Sequence, residues 1–370
     1  MSQETLNDVT SSRLKSKLEI AEKEAPLAIQ MMLDDAKEGK DFMLKLGAGF
    51  TSEFIGNGNV KLLTPVGSYG LHSNAINQLS AKYGISGRDT KKYINGEFEG
   101  GSEWQHKLLA FQLNQHALHS KQQRFLIRSV RDEIRACLSD QYKILDSDII
   151  VTEFLKVAIA AGAIYAGGHN SGLNVWLEVM SPNLVEFETE NNGVLKVAFG
   201  SRIKTSDYGC GALELRSFIM QAVCANGMVA EQQLNQKHLG EKLPDGFDFS
   251  KQTVRVHTQR MQLVVRDMTK HLFGSNYVRS KIEQIQAASK VKIDMKKELG
   301  KMFDTEVLRK NEVTETEVVF LNNKIEDGVM GEGTLWKLAQ GLTAIARDKE
   351  PERQRELAEI AGQLLPTGRK

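Results

Sequence analysis

Apolar and polar residues alternate along this chain in ways that change from one stretch to the next. Over the first forty residues Leu14, Leu18, Ile20, Leu27, Ile29 and Met32 are scattered among charges, a weak helical period that predicts a peripheral helix or two. Core structure is expected from about Asp41. There Phe42 to Leu46, followed by Gly47, Gly49, Gly56, Asn57 and Gly58, reads as strand and turns. Ser73 to Tyr83, bounded by Gly70 and Gly84, reads as a helix, and so does Glu103 to Lys121, with Trp104, Leu108, Leu109, Phe111, Leu113 and Leu118 at mostly helical spacing. Arg124 to Arg131 and Ile134 to Tyr142 read as two strands. Asp146, Ser147 and Asp148 supply N-cap chemistry for a helix from Ile149 to Ala163, with a stop at Gly167-Gly168.

Leu173 to Met180, Leu184 to Glu190 and Val194 to Ile203 then alternate with period two, and Asn191-Asn192-Gly193 is a hairpin turn, which predicts an antiparallel meander. Leu213 to Val229 is apolar throughout and fits strand or helix. From Thr253 onward the period is helical to the end, including Leu335, Trp336, Leu338, Leu342 and Ile345. The expected class is α+β: an antiparallel sheet with a hairpin near Asn192-Gly193, packed with helices and followed by a largely helical C-terminal region. The expected divisions are a peripheral helical segment 1–40, an α+β core 41–250 and a helical region 251–370.

Composition agrees with a folded chain, since 41% of the 370 residues are hydrophobic and 26% charged, enough to bury a core. No run of 18 apolar residues occurs and the first residues have no apolar leader, so the expectation is a cytoplasmic protein, in a bacterial host cell on the resemblance described below, with no membrane partner. Cys137, Cys210 and Cys224 form no C-x-x-C pair and read as reduced thiols. The net charge of +1 excludes attachment to nucleic acid by bulk charge, but the charge is uneven: residues 251 to 310 hold 14 basic and 6 acidic side chains, a local +8.

Sites for small-molecule chemistry are sparse. Gly47-Ala48-Gly49 lacks the third glycine of a dinucleotide loop, and no phosphate-cradling G-x-x-x-x-G-K-[S/T] occurs. His116 and His119, with His106 ten residues before, can share a helix face but lack a further ligand at metal spacing. Asp146 and Asp148 suit the start of a helix better than a cation. Cys224, before Ala225-Asn226-Gly227, reads as a buried thiol beside a turn rather than a nucleophile, with His169 or His257 as the conceivable bases. No catalytic, cofactor or metal residue is assigned.

The basic residues offer more. Arg124 and Arg128 share strand parity, Arg131 and Arg135 have the opposite parity, and with Lys143, Arg202 and Lys204 they can build a basic sheet surface beside Phe125, Tyr142 and Tyr165 as stacking platforms. The alternative is a solvated strand face paired to Asp132 and Glu133. Arg255, Arg260, Arg266 and Lys270 begin a second basic surface on the helices, for phosphate, for an acidic partner or for water.

Residues 131–148 (RDEIRACLSDQYKILDSD), 206–212 (SDYGCGA), 218–229 (FIMQAVCANGMV) and the helix at Trp336 to Thr343 resemble blocks of the domain-of-unknown-function 932 family of phage, prophage and plasmid proteins. Gln221 and Ser147 depart from that pattern, which has arginine and asparagine there. The resemblance implies a mobile-element origin and transfers no catalytic residue. The function expected is an oligomeric nucleic-acid-binding protein, a single-strand DNA annealing or recombination factor acting through Arg124, Arg128, Arg131, Arg135, Lys143, Arg202, Lys204, Arg255, Arg260, Arg266 and Lys270 without catalysis. A host-directed regulatory or protein-interaction factor is the alternative.

Overall fold

The computed structural model describes residues 3–5, 12–47, 52–121, 123–189, 193–221, 227–237, 251–322, 333–346 and 348–366. The chain opens with β1 (Gln3–Thr5) and one long helix, α1 (Ser12–Glu38). It then builds a first sheet from β2 (Gly39–Leu46), β3 (Glu53–Gly56), β4 (Val60–Thr64), β5 (Gly67–Leu71), β6 (Gln123–Val130) and β7 (Glu133–Ser139), in the order β2-β6-β7-β5-β4-β3. All its pairings are antiparallel except the short parallel contact of β5 with β7. Three helices, α2 (Ser73–Lys82), α3 (Gly87–Asn95) and α4 (Ser102–His119), connect β5 to β6. Leu109, Leu113 and Ala117 of α4 and Ile76 and Leu79 of α2 pack onto Leu46, Leu62, Phe125 and Ile134 of the sheet.

α5 (Ser147–Ala160) leads into the second sheet, made of β8 (Ile164–Asn170), β9 (Val175–Met180), β10 (Asn183–Thr189), β11 (Gly193–Thr205), β12 (Leu213–Gln221) and β13 (Gly227–Gln236), joined by β1 at the β10 edge. Strand β11 is 13 residues long and carries two partners on one side: β10 pairs Gly193 to Val197 and β9 pairs Gly200 to Thr205. Its other side is taken by β12. The expected meander is therefore rearranged, because β9 and β10 share an edge of β11 instead of pairing with each other. The β10–β11 hairpin is present, with Gly193 at φ 66°, while Asn191 and Asn192 lie outside the described residues.

The C-terminal helices are α6 (Lys251–Leu272), α7 (Ser275–Lys290), α8 (Met295–Asp304), α9 (Lys310–Asn322), α10 (Leu335–Ala346) and α11 (Pro351–Gln363). They share the cores of the second sheet. Met261, Val265 and Leu272 of α6 join α5 and the strands β9, β11 and β12, and Trp336, Leu342 and Leu357 cover Phe199 and Ile219. The fold is α+β with mostly antiparallel sheets and a helical C-terminal region.

Two expectations change, and one open alternative is decided. The first helix is no peripheral segment: Leu14, Ala25, Ala28 and Met32 are buried in two core clusters. A Cβ placed on Gly168 of β8 would stand 2.8 Å from the Ala25 Cα, so helix and strand meet backbone to backbone. Gly167-Gly168 accordingly lies within β8, and α5 ends earlier, near Gly162 at φ 81°. The apolar stretch from Leu213 resolves as strand, because Ile219 faces one core cluster and its neighbours Phe218 and Met220 another.

Candidate nucleic-acid interface

Arg128 sits at the centre of the contact between the two sheets. It is 9% exposed. Its Nε donates to Asp41 Oδ1 at 3.0 Å, its Nη2 to Asp146 Oδ1 at 2.9 Å and its Nη1 to the Asp207 carbonyl at 3.1 Å. One guanidinium thus joins β2, the start of α5 and the turn after β11, using its planar fork on three acceptors. Burial works against that charge, but Asp207, Asp41 and Asp146 together hold the arginine above its ordinary value. Asp207 Oδ1 accepts from both the amide and the hydroxyl of Ser147, at 3.0 and 2.7 Å.

Burial pushes the Asp207 carboxyl up to about 6, against the pull of Arg128 and Ser147. The folded chain therefore holds this proton to higher pH than the unfolded chain does. The stabilisation from it is complete below the ordinary carboxylate range and is lost as pH rises through about 6. A carbon-13 titration of the Asp207 side chain is expected to show a midpoint near 6, and Asp207→Asn, which keeps an acceptor for Ser147, should remove that step from the stability-against-pH curve. An ordinary midpoint near 4 would contradict this.

The same region binds the other central arginines. Arg135 donates to Asp35 and to the Gly172 carbonyl, and its guanidinium lies 5.6 Å from the Tyr208 ring centre. Arg202 donates through Nε to Glu178 at 2.7 Å and lies 5.5 Å from the Trp176 ring centre. Burial works to raise Glu178, yet Arg202 and Lys17 hold it below its usual range. Lys204 is half-buried, and burial together with Arg355, Arg216 and Arg202 lowers its pKa despite Glu214. Arg124 and Lys143 are each engaged within the molecule. Arg131 is displayed at the β6–β7 turn, 3.6 Å from Glu38 and 71% exposed. Phe125 is 1% exposed, and Tyr142 donates its hydroxyl to the Ser206 carbonyl at 3.2 Å.

The sheet half of the expected basic surface is therefore corrected. Arg128, Arg135 and Arg202 are spent on carboxylates of their own chain and form no outward phosphate track. Strand parity gives the side of a residue and is silent about carboxylates brought to it from distant segments. A cleft of about 630 Å³ opens beside this junction, lined by Gln78, Lys82, Ser139, Tyr142 and Lys237.

The histidines do not gather. His106 is buried, 3.2 Å from the Ile94 carbonyl, and His116 stacks on Tyr83. Among the described residues no three His, Cys, Asp or Glu side chains group as metal ligands. Burial raises the pKa of the Cys137 thiol, which suits a packing role, and Cys224 lies outside the described residues.

On the helices the cations are displayed. Arg255, Arg260 and Lys270 of α6 are exposed, as are Arg279 of α7 and Lys296 and Lys297 of α8. Arg266 is half-exposed and lies 3.1 Å from Asp267. α6 buries Thr258, Met261, Val265 and Leu272, which fixes its outward side. At about 100° per residue, Arg255, Arg266 and Lys270 fall within about 60° of one another and form a row of roughly 22 Å, with Arg260 on the far flank. Between the row and Arg260 lie two apolar residues one heptad apart, Val256 and Leu263, 56% and 48% exposed. Composition identified the cations, but the apolar strip between them emerges only once the buried side of α6 is known.

No family model, no curated protein and no solved structure matches the chain. Among the described residues no helix is long and apolar enough to cross a membrane.

Proposed function

We propose that the chain is a non-catalytic nucleic-acid-binding protein that holds single-stranded DNA along α6. The observation that supports this most is the row of Arg255, Arg266 and Lys270 beside the exposed strip of Val256 and Leu263. Cations in a line neutralise phosphates, and an apolar strip alongside them offers contact to the base faces that a duplex keeps stacked. Strand annealing would follow, because pairing edges on a held strand remain open. The mobile-element setting belongs to the same proposal and rests on the likeness of residues 131–148, 206–212 and 218–229 to the domain-of-unknown-function 932 family.

Fluorescence anisotropy with a labelled thirty-nucleotide strand and the matching duplex, at low salt, tests this reading. The single strand is expected to bind at least several-fold more tightly than the duplex. Failure to bind either one, or equal binding of both, would contradict it. In that event the same cations would be left for an acidic protein surface, the host-directed alternative.

A further inference from the structure

The cleft beside the Arg128 junction is about 630 Å³ in volume, the size of a small-ligand site. It draws a lysine from each sheet's side: Lys82 from α2, which packs on the first sheet, and Lys237 from the end of β13 in the second. Both are exposed, and among the described residues neither pairs with a carboxylate. Among those residues no aspartate or glutamate lines the cleft, in a chain with 47 acidic side chains to 48 basic ones. The rest of the wall is largely apolar, with Ala81, Leu138, Ala212 and Tyr142 beside the Ser139 hydroxyl. The frame is fixed. Gln78 donates through Nε2 to the Tyr208 carbonyl at 2.8 Å and accepts from the Cys137 amide at 2.8 Å, tying α2 to β7 and to the turn after β11.

We propose that this cleft binds a free nucleoside monophosphate, its phosphate held by Lys82 and Lys237 and its base laid on the apolar wall. A lysine ammonium is a compact point charge with three donors, suited to phosphate oxygens, and a phosphate dianion takes two of them. Bare phosphate would leave most of the volume and the whole apolar wall unused. A neutral ligand would leave both lysines unanswered, and a cation would be repelled by them. A nucleoside supplies what the wall lacks: a flat, weakly polar base for Leu138 and Tyr142, and sugar hydroxyls within the chemistry of Ser139. No residue of α6 lines the cleft, so this inference is independent of the nucleic-acid reading.

Isothermal titration of the full chain with adenosine monophosphate, adenosine and inorganic phosphate, at low salt, tests the proposal. The monophosphate is expected to bind at a single site, with adenosine and phosphate each weaker by about tenfold or more. Lys82→Gln and Lys237→Gln should each weaken the monophosphate by about tenfold, the worth of one charge-assisted hydrogen bond. Ala81→Trp should abolish binding by filling the cleft, since Ala81 is exposed on α2 and lines it. Lys91→Gln on α3, exposed and outside the lining, should change nothing, and neither should the joint replacement of Arg255, Arg266 and Lys270 by glutamine. The lysine variants, at exposed positions, remain decisive if the tryptophan variant folds poorly. Absence of binding overturns the proposal, as does adenosine or phosphate binding as tightly as the monophosphate. So does an affinity unchanged in both lysine variants or in a folded Ala81→Trp, or one lost in the α6 variant, which would place the nucleotide on that helix.

Discussion

Replacing Arg128 by methionine is expected to destabilise the fold by about 2 to 3 kcal/mol at neutral pH, because it removes charge-assisted hydrogen bonds and the shared counter-charge from three carboxylates that are only partly shielded from water. Asp41 and Asp146 lose hydrogen bonds of 3.0 and 2.9 Å, and Asp207 keeps only Ser147. The three aspartates would then repel one another at the meeting point of β2, α5 and the turn after β11. Protonation relieves that repulsion, so the deficit should shrink as pH falls below about 5. Urea unfolding at pH 7 and pH 4.5 measures both parts. A loss under 1 kcal/mol at neutral pH, or a deficit that grows on acidification, would mean that Arg128 does not join the sheets electrostatically.

Gly56→Ala is expected to cost about 3 kcal/mol or more, at the severe end for an added methyl group. A Cβ at this position of β3 would overlap the backbone of His106 and Lys107 in α4. Neither obstacle can rotate away, so helix and hairpin must separate. Gly58, two residues later, provides the internal control. It sits at φ 68° with nothing within 4 Å of an added Cβ, so Gly58→Ala bears only the left-handed strain of roughly 1 to 2 kcal/mol. Comparable losses at the two sites would remove the argument that β3 and α4 meet backbone to backbone.

The sequence showed what depends on neighbours in the chain and concealed what depends on residues far away. The strands of residues 123–139, the helices at Ser73 and Ser102 and the β10–β11 hairpin follow from local period and turn chemistry. The burial of α1 was hidden because much of its inward side is alanine, in Ala21, Ala25 and Ala28, which adds little to a hydrophobic pattern while allowing close approach to β8. The sharing of one β11 edge by two strands depends on strand length and pairing partners, which alternation does not encode.

The candidate site divides in the same way. The acceptors of Arg128 lie 87, 79 and 18 residues away in sequence, so nothing near the arginine announced that its charge was already spent. The +8 segment was legible from composition, and its display on α6 follows once the buried side of that helix is known.

The salt dependence of oligonucleotide binding tests the central claim most directly. Binding of a labelled single strand should weaken linearly in log–log form between 50 and 200 mM salt, and the variant Arg255→Gln, Arg266→Gln, Lys270→Gln should lower that slope by about 2, roughly 0.7 for each phosphate contact removed. An unchanged slope and affinity in the triple variant would show that the cations of α6 do not hold the strand.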